Sequence, residues 1–374
     1  FRRSFAVSLQ PVHPAFPSFR DFFSDCRAMR PILIHAHERP LTFVLFNEDG
    51  DLLFTAGKDK GICLYYSKTG EMIGSYEGHN GVVWSLDITK DSKYLVSASA
   101  DMKVFFWDVT SGETVVEHDM GGPVKFVELC RNPLKQDRIL VAQDNFGQRS
   151  QKAISIWKVD IQGGKMENEL TFSDYPSKAV EVHWGPFDET IVSAHEDGFI
   201  RMWDAQTGES KWEQQAHNGP VTNMTFNKDR CIMLTTGADA MAYLWDVVHK
   251  KLLKSYKADR PLNAGVISPL AVTSDMQEGE EKGEGSRYPP RYHILLGGGQ
   301  KAEDVTTSHA QSGKFDALLY HLVFSELLGS IKGGFSPINT LAFIPDGSGF
   351  ASGAEEGYVR VHHFDDDYFG KKFD

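Results

Sequence analysis

Cysteine is scarce in this chain of 374 residues. The four cysteines, Cys26, Cys63, Cys130 and Cys231, are separated by 37, 67 and 101 residues, so the chain has no CxxC pair. No histidine lies near them at a spacing that would complete a zinc site. We therefore expect reduced structural thiols, no metal, no cofactor and a cytoplasmic location.

Long apolar runs and an excess of positive charge are also missing. No stretch approaches the roughly 18 uncharged apolar residues that a membrane-spanning helix needs. Lys and Arg number 39 against 51 Asp and Glu, which gives a formal charge of −12. A chain this acidic gains nothing from counterion release on a phosphate backbone or from an anionic membrane face. We expect no membrane insertion and no direct sequence-specific binding of nucleic acid.

The common catalytic motifs are absent as well. The chain contains neither HExxH nor GxSxG. The run 297–300, Gly-Gly-Gly-Gln, follows an apolar segment, but no Gly-Lys-Ser/Thr comes after it, so a phosphate loop is not indicated. His362 and His363 are neighbours, and on a strand neighbouring side chains point to opposite faces. The sequence therefore predicts no catalytic residues and no enzyme.

Internal repetition, in contrast, is abundant. In five copies an acidic residue lies six positions before an aromatic or imidazole side chain, and a hydroxyl lies four positions before that acid. The acids are Asp59, Asp101, Asp197, Asp239 and Glu356, and the hydroxyls are Thr55, Ser97, Ser193, Thr235 and Ser352. Three copies also place a histidine 22 positions before the acid: His37, His79 and His217. These offsets are typical of the WD40 repeat, in which about 40 to 45 residues form one four-stranded propeller blade.

Seven copies can be counted along the chain. They begin near His37, His79, Gly121, Lys178, His217, Arg260 and Gly334. A strand-like segment at 32–34 is left over before the first copy, and an open ring would expose unpaired edges. We therefore predict an all-β fold, a single seven-bladed WD40 β-propeller over residues 29–374, in which the N-terminal strand becomes the outermost strand of the last blade.

Two segments depart from the repeats. Residues 1–28 contain Arg2, Arg3, Pro11, Pro14 and Pro17, and the prolines prevent the amphipathic helix that a transit peptide needs. We expect an irregular N-terminal extension that is either species-specific or an upstream segment joined to the domain. A second segment, 273–291, interrupts blade six and is acidic and glycine-rich, so we expect a solvated loop.

Histidine, hydroxyl and acid together are also the residue types of a hydrolase triad. An enzyme needs one such set in one cleft, whereas this set recurs from blade to blade. We interpret it as a buried hydrogen-bond network in which the tryptophan indole donates to the hydroxyl, the hydroxyl meets the histidine, and the acid holds the histidine. The network residues are His79, Ser97, Asp101 and Trp107 in one blade, and His217, Thr235, Asp239 and Trp245 in another.

Several stretches resemble one WD40 family in particular, the i subunit of eukaryotic translation initiation factor 3. The likeness runs from residue 29 to the C-terminus. Its stretches are 29–33, 36–42, 47–55, 58–59, 296–307, 313–317, 320–321, 334–339, 345–347 and 356–360. The chain departs from the family at Ala36, where a glycine is usual, at Gly334-Phe335, where a histidine is usual, and in the insertion 273–291.

The resemblance implies a non-catalytic scaffold of the initiation factor. Such a subunit would bind the b and g subunits and reach the small ribosomal subunit through the complex during preinitiation and scanning. In the family a helix of the b subunit lies across blades five and six, which maps a partner-binding surface here to Asn223, Asp239 and Gln300.

Two alternatives stay open from the sequence. One is another cytosolic WD40 adaptor, for example a signalling or ubiquitin-ligase scaffold. The other is an enzyme that uses the central channel, which would need a single unrepeated cluster of titratable residues there.

Overall fold

A computed structural model describes residues 31–145, 147, 150–271, 288–299 and 315–370 of the chain. Within these ranges the backbone forms seven antiparallel sheets of four strands each. Six sheets are built from consecutive strands, and the seventh combines the first strand of the chain with the last three. The prediction of an all-β, seven-bladed propeller is therefore confirmed.

The strands of blades one to four follow one another along the chain. Before them comes β1 (Ile32–His35), which belongs to blade seven. Blade one contains β2 (Leu41–Phe46), β3 (Leu52–Gly57), β4 (Ile62–Tyr66) and β5 (Met72–Tyr76). Blade two contains β6 (Val83–Ile88), β7 (Tyr94–Ser99), β8 (Lys103–Asp108) and β9 (Thr114–Asp119). Blade three contains β10 (Val124–Leu129), β11 (Arg138–Gln143), β12 (Ala153–Asp160) and β13 (Lys165–Phe172). Blade four contains β14 (Ala179–Trp184), β15 (Thr190–His195), β16 (Phe199–Asp204) and β17 (Ser210–Gln215).

The remaining strands form blades five to seven. Blade five contains β18 (Val221–Phe226), β19 (Ile232–Gly237), β20 (Met241–Asp246) and β21 (Lys251–Lys257). Blade six contains β22 (Leu262–Ile267), β23 (His293–Gly298), β24 (Ala317–His321) and β25 (Leu327–Ile331). Blade seven contains β26 (Ile338–Phe343), β27 (Gly349–Ala354), β28 (Tyr358–His363) and β1. A 3-10 turn lies at Pro186–Asp188, and a short helix, α1, at Asp366–Gly370.

The hydrophobic core is divided among the seven interfaces between neighbouring blades. The apolar cluster around Phe54, Ile62 and Trp107, for example, joins blades one and two, and the cluster around Val96 and Val127 joins blades two and three. Because each sheet is covered on both faces, its middle strands are buried without alternation, as in β7 and β19. The outermost strands have fewer neighbours and are largely exposed.

The ring is closed by the pairing of β1 with β28. Ile32 lies opposite Val361 and His35 lies opposite Tyr358 in an antiparallel register. The predicted N-terminal strand is therefore the outermost strand of blade seven. Next to this pair Gly357 has a φ of 85°, and a Cβ there would collide with the carbonyl of His37, so the turn requires glycine.

Two predicted segments fall mostly outside the described residues. The extension 1–28 lies entirely outside them, and only 288–291 of the insertion 273–291 are described. In this short part Tyr288 stacks on Phe369 of α1, with 4.0 Å between the ring centroids. No helix of the described chain is long and apolar enough to cross a bilayer.

Candidate functional site

The predicted network residues of blade two lie in one hydrogen-bonded chain. The Trp107 indole Nε1 donates to the Ser97 hydroxyl at 2.9 Å, and this hydroxyl lies 2.7 Å from His79 Nε2. His79 Nδ1 lies 2.8 Å from an oxygen of Asp101. Asp101 also accepts hydrogen bonds from the backbone amides of Asn80 and Lys103. Every polar group of this hydrogen-bonded series thus has a partner, which is what a buried network requires.

Blade five repeats this arrangement, and blade one repeats its histidine part. In blade five the Trp245 indole donates to Thr235 at 3.1 Å, His217 lies 3.1 Å from Thr235, and His217 Nδ1 lies 2.9 Å from Asp239. In blade one His37 links Thr55 and Asp59 at 2.9 Å each.

Burial explains why these sets are not catalytic triads. Ser97 and Thr235 have no exposed surface, and each hydroxyl already accepts the indole N–H of a tryptophan. A nucleophile must reach its substrate, and these hydroxyls cannot. Their hydrogen bonds hold the strands of one blade together instead.

Blades four and seven use the same acidic position differently. Asp197 pairs with the buried Arg201, four residues on, at 2.8 Å, and Glu356 pairs in the same way with Arg360. In blade four the hydroxyl of Ser193 contacts His195, which lies two residues along the same strand. The fixed offset of the acid is therefore shared by five blades, whereas its partner is a histidine in three and an arginine in two.

The three predicted partner-binding residues have different surroundings. Asn223 lies on β18, and its amide bridges two other blades: it donates to Glu181 at 3.0 Å and accepts from the Gly265 backbone at 2.9 Å. Asp239 is held by His217 and by the backbone amide of Asn218. Gln300 lies outside the described residues.

Polar residues of the innermost strands tie each blade to the next around the central channel. At every one of the seven interfaces a side chain of one inner strand bonds to the backbone of its neighbour. The ties, in order, are Thr42 to Val83, Asp87 to Leu129, Glu128 to Trp184, Glu181 to Met224, Asn223 to Gly265, Asn263 to Ile338, and Asn339 to Leu41. The ring of blades is thus matched by a ring of hydrogen bonds.

Sequence reasoning missed these ties, although the repeat contains a signal for them. Asp87 and Leu129 are separated by 42 residues, and so are Asn223 and Gly265. This separation equals the spacing between Trp203 and Trp245. A polar residue in the second, third or fifth position of an inner strand, read together with the residue about 42 positions later, would have predicted contacts of this kind.

One titratable cluster near the channel joins an acid, an arginine and a histidine, and its acid–arginine pair has a counterpart one blade earlier, where Asp87 bonds the Leu129 amide and pairs with Arg131 at 2.6 Å. Glu128 of blade three bonds Arg230 of blade five at 2.7 Å, and it lies 3.3 Å from His183 of blade four. Together they line a cavity of about 490 Å³ at one end of the channel. An enzyme in the channel would need such a cluster, but here Glu128 also accepts the Trp184 backbone amide and Arg230 donates to the Trp184 carbonyl. The two charged groups therefore pair with each other and bond neighbouring blades together.

The protonation of this cluster follows from its charges. Burial opposes the charged forms, but Arg230 and His183 outweigh it and hold the pKa of Glu128 well below its ordinary value. Burial also disfavours the His183 cation, yet Glu128 and Glu181 raise the pKa of His183 to about 9. At neutral pH the cluster is therefore a carboxylate and two cations. No group of three or more metal-ligating side chains occurs in the part of the chain that the structure describes.

The buried network of blade two predicts a large cost for its tryptophan. Replacing Trp107 by Ala should lower the free energy of unfolding by about 3–5 kcal/mol, as truncation of a buried aromatic does. Trp107→Phe keeps most of the packing and loses the indole donor, so about 1–2 kcal/mol is expected. Urea denaturation of both variants measures the difference. A Trp107→Ala protein as stable as the wild type would contradict the burial.

The channel cluster predicts a pH dependence of stability. The raised pKa of His183 means that its charge stabilises the fold fully below about pH 6.5, the ordinary value, and that this contribution is lost as the pH rises through about 9. The difference in melting temperature between wild type and His183→Gln should therefore shrink from pH 7 to pH 10. The exposed His249→Gln serves as the control. A difference that is constant with pH would rule out the charged histidine.

Comparison with known proteins agrees with this architecture. A family model described as EIF3I matches residues 29–281, and one described as WD domain, G-beta repeat matches residues 325–363. The eukaryotic translation initiation factor 3 subunit I of Neosartorya fischeri is 38% identical over 349 residues, which cover 91% of this chain and 96% of that protein. The subunit I of Schizosaccharomyces pombe is 38% identical over 351 residues, or 92% of this chain and 99% of that protein. The chain belongs to the family of eukaryotic translation initiation factor 3 subunit I.

Proposed function

We propose that the chain is a non-catalytic scaffold subunit of eukaryotic translation initiation factor 3. It binds the b and g subunits in the cytoplasm and reaches the small ribosomal subunit through them, in preinitiation complexes and during scanning. The observation that carries the proposal is the family relationship, which extends over the whole propeller rather than over isolated blades. This extent favours the initiation factor over a signalling or ubiquitin-ligase adaptor, which would share only the WD40 pattern.

The surface chemistry supports a role in protein assembly. The triad-like sets are buried, and the channel cluster is bonded to the backbone of neighbouring blades. The described surface, in contrast, has exposed apolar side chains where blades five and six meet. Val323, Phe324 and Leu327 are 41%, 60% and 50% exposed around the turn between β24 and β25. This turn is fixed to blade five by Tyr256, whose hydroxyl donates to the Leu322 carbonyl.

We infer that the b-subunit helix lies across blades five and six and that the apolar turn between β24 and β25 takes part in the contact at one end of their strands. Asn223, Asp239 and Gln300 remain proposed contact residues, of which Asn223 and Asp239 lie toward the opposite end of the strands, near the turn from β19 to β20. Asn223 and Asp239 also hold the fold together through the hydrogen bonds described above. A test of their contact role therefore has to separate binding from stability.

The test is co-purification of the tagged chain with the other subunits and with small ribosomal particles. The wild type should recover the b and g subunits, and Phe324→Asp should recover less of the b subunit because a charge replaces an apolar contact. Phe187→Asp is the matched control, since Phe187 is 84% exposed on blade four. Failure of the wild type to recover any subunit would refute the proposed function.

The same assay separates the two roles of Asp239. If Asp239→Lys lowers the melting temperature before it lowers recovery of the b subunit, its assignment as a contact residue is wrong. Unchanged melting with lost recovery would support it. Circular dichroism of each variant provides the stability reading.

A further inference from the structure

The outermost strand of blade five differs in charge from the rest of the protein. Lysines occupy positions 250, 251, 254 and 257 in and just before β21, and all four are exposed. We call these residues, together with Leu252 and Leu253, the lysine strip. The chain as a whole has a net charge of −12, so this local excess of positive charge is unusual for it.

These lysines have few partners in the described chain. The side-chain amines of Lys251, Lys254 and Lys257 form no ion pair or hydrogen bond with any described residue, although their backbones pair with β20. Lys250 donates only to the backbone carbonyl of Lys211, at 3.4 Å. Their charges are therefore available to a binding partner.

Protection of a sheet edge does not account for the strip. Exposed edge strands often contain lysine because like charges prevent edge-to-edge aggregation. The outermost strands β1, β5, β9 and β25 contain no lysine, and β13 and β17 contain one each beside glutamates. The six equivalent edges of this ring thus do without a run of lysines.

Apolar side chains interrupt the lysines on the same strand. Leu252 is 44% exposed and Leu253 is 39% exposed, and both lie in β21. A bulge at Leu253, between the pairs Leu244–Lys254 and Trp245–Leu252, breaks the alternation of side chains there. Apolar and basic groups are therefore presented together along one free edge.

We propose that the lysine strip is a docking site for an acidic segment of a partner protein, rich in Asp and Glu with apolar residues between them. The segment lies along β21, where its carboxylates face the lysines and its apolar side chains cover Leu252 and Leu253. A second copy of the chain is disfavoured as the occupant, since two β21 edges would repel each other. The proposal rests on the scaffold role and names the chemistry of one partner.

The strip can be tested with designed peptides. The probe is a fluorescent peptide of about twelve residues that alternates Glu with Val and Leu. A comparison peptide has Lys in place of each Glu. The wild type should bind the acidic peptide, more weakly as salt rises, and should not bind the basic one. The double variant Lys251→Glu, Lys254→Glu should bind the acidic peptide at least about tenfold more weakly and gain affinity for the basic peptide.

A control variant and two further probes make the result decisive. Lys68→Glu, Lys165→Glu changes the net charge equally on other blades and should bind as the wild type does. Equal binding of the acidic peptide by both double variants would overturn the proposal. So would lysine-dependent binding of single-stranded RNA in place of the peptide, or lysine-dependent dimerisation in sedimentation.

Co-purification distinguishes failure of the strip from failure of the scaffold role. If the wild type recovers initiation factor subunits but the acidic peptide does not bind, only the inference about the strip is wrong. If the wild type recovers no subunit, the proposed function fails, whatever the peptide does.

Discussion

Closure of the ring is the constraint on which the rest of this structure depends. Each blade buries its two faces against its neighbours, so the core consists of seven interfaces rather than one centre. An opening at any of them would expose apolar faces on both sides, and the chain has to return to its own beginning to prevent this. It does so through β1, which pairs with β28 and covers the outer edge of blade seven. Inside the ring, side chains of the inner strands bond each blade to the next, and the last tie joins Asn339 to Leu41.

The sequence predicted those parts of the fold that repeat with a fixed offset. The acid, the hydroxyl and the aromatic residue recur because each blade satisfies the same buried polar groups, so the blade count, the closing strand and the residues of the networks could be inferred. The partners of the repeated acid were less predictable, because Asp197 and Glu356 pair with arginines that appear four residues later in two blades alone. The cluster of Glu128, His183 and Arg230 could not be inferred, because Glu128 and Arg230 are 102 positions apart and lie two blades from each other.

A rigid, closed ring suits a protein that functions by binding partners at its surface rather than through groups in its interior. The repeated buried polar residues of this propeller bond within and between blades, and Glu128, His183 and Arg230 in the channel pair with one another. The chain belongs to a family of initiation factor subunits, and its distinctive features lie on the outside: an apolar turn on blade six and a basic edge on blade five. Both are local departures from an acidic and otherwise regular surface, which is where recognition of partners would be expected.

The central claim, that the fold depends on closure by β1, can be tested by truncation. The proteins to compare are one that begins at residue 31 and one that begins at residue 36, which differ by the closing strand. Without β1, the buried Val359 and Val361 lose their cover, and calorimetry should record a melting temperature lower by about 5 °C or more, with a broader transition. Equal melting temperatures and equally sharp transitions for the two proteins would contradict the account.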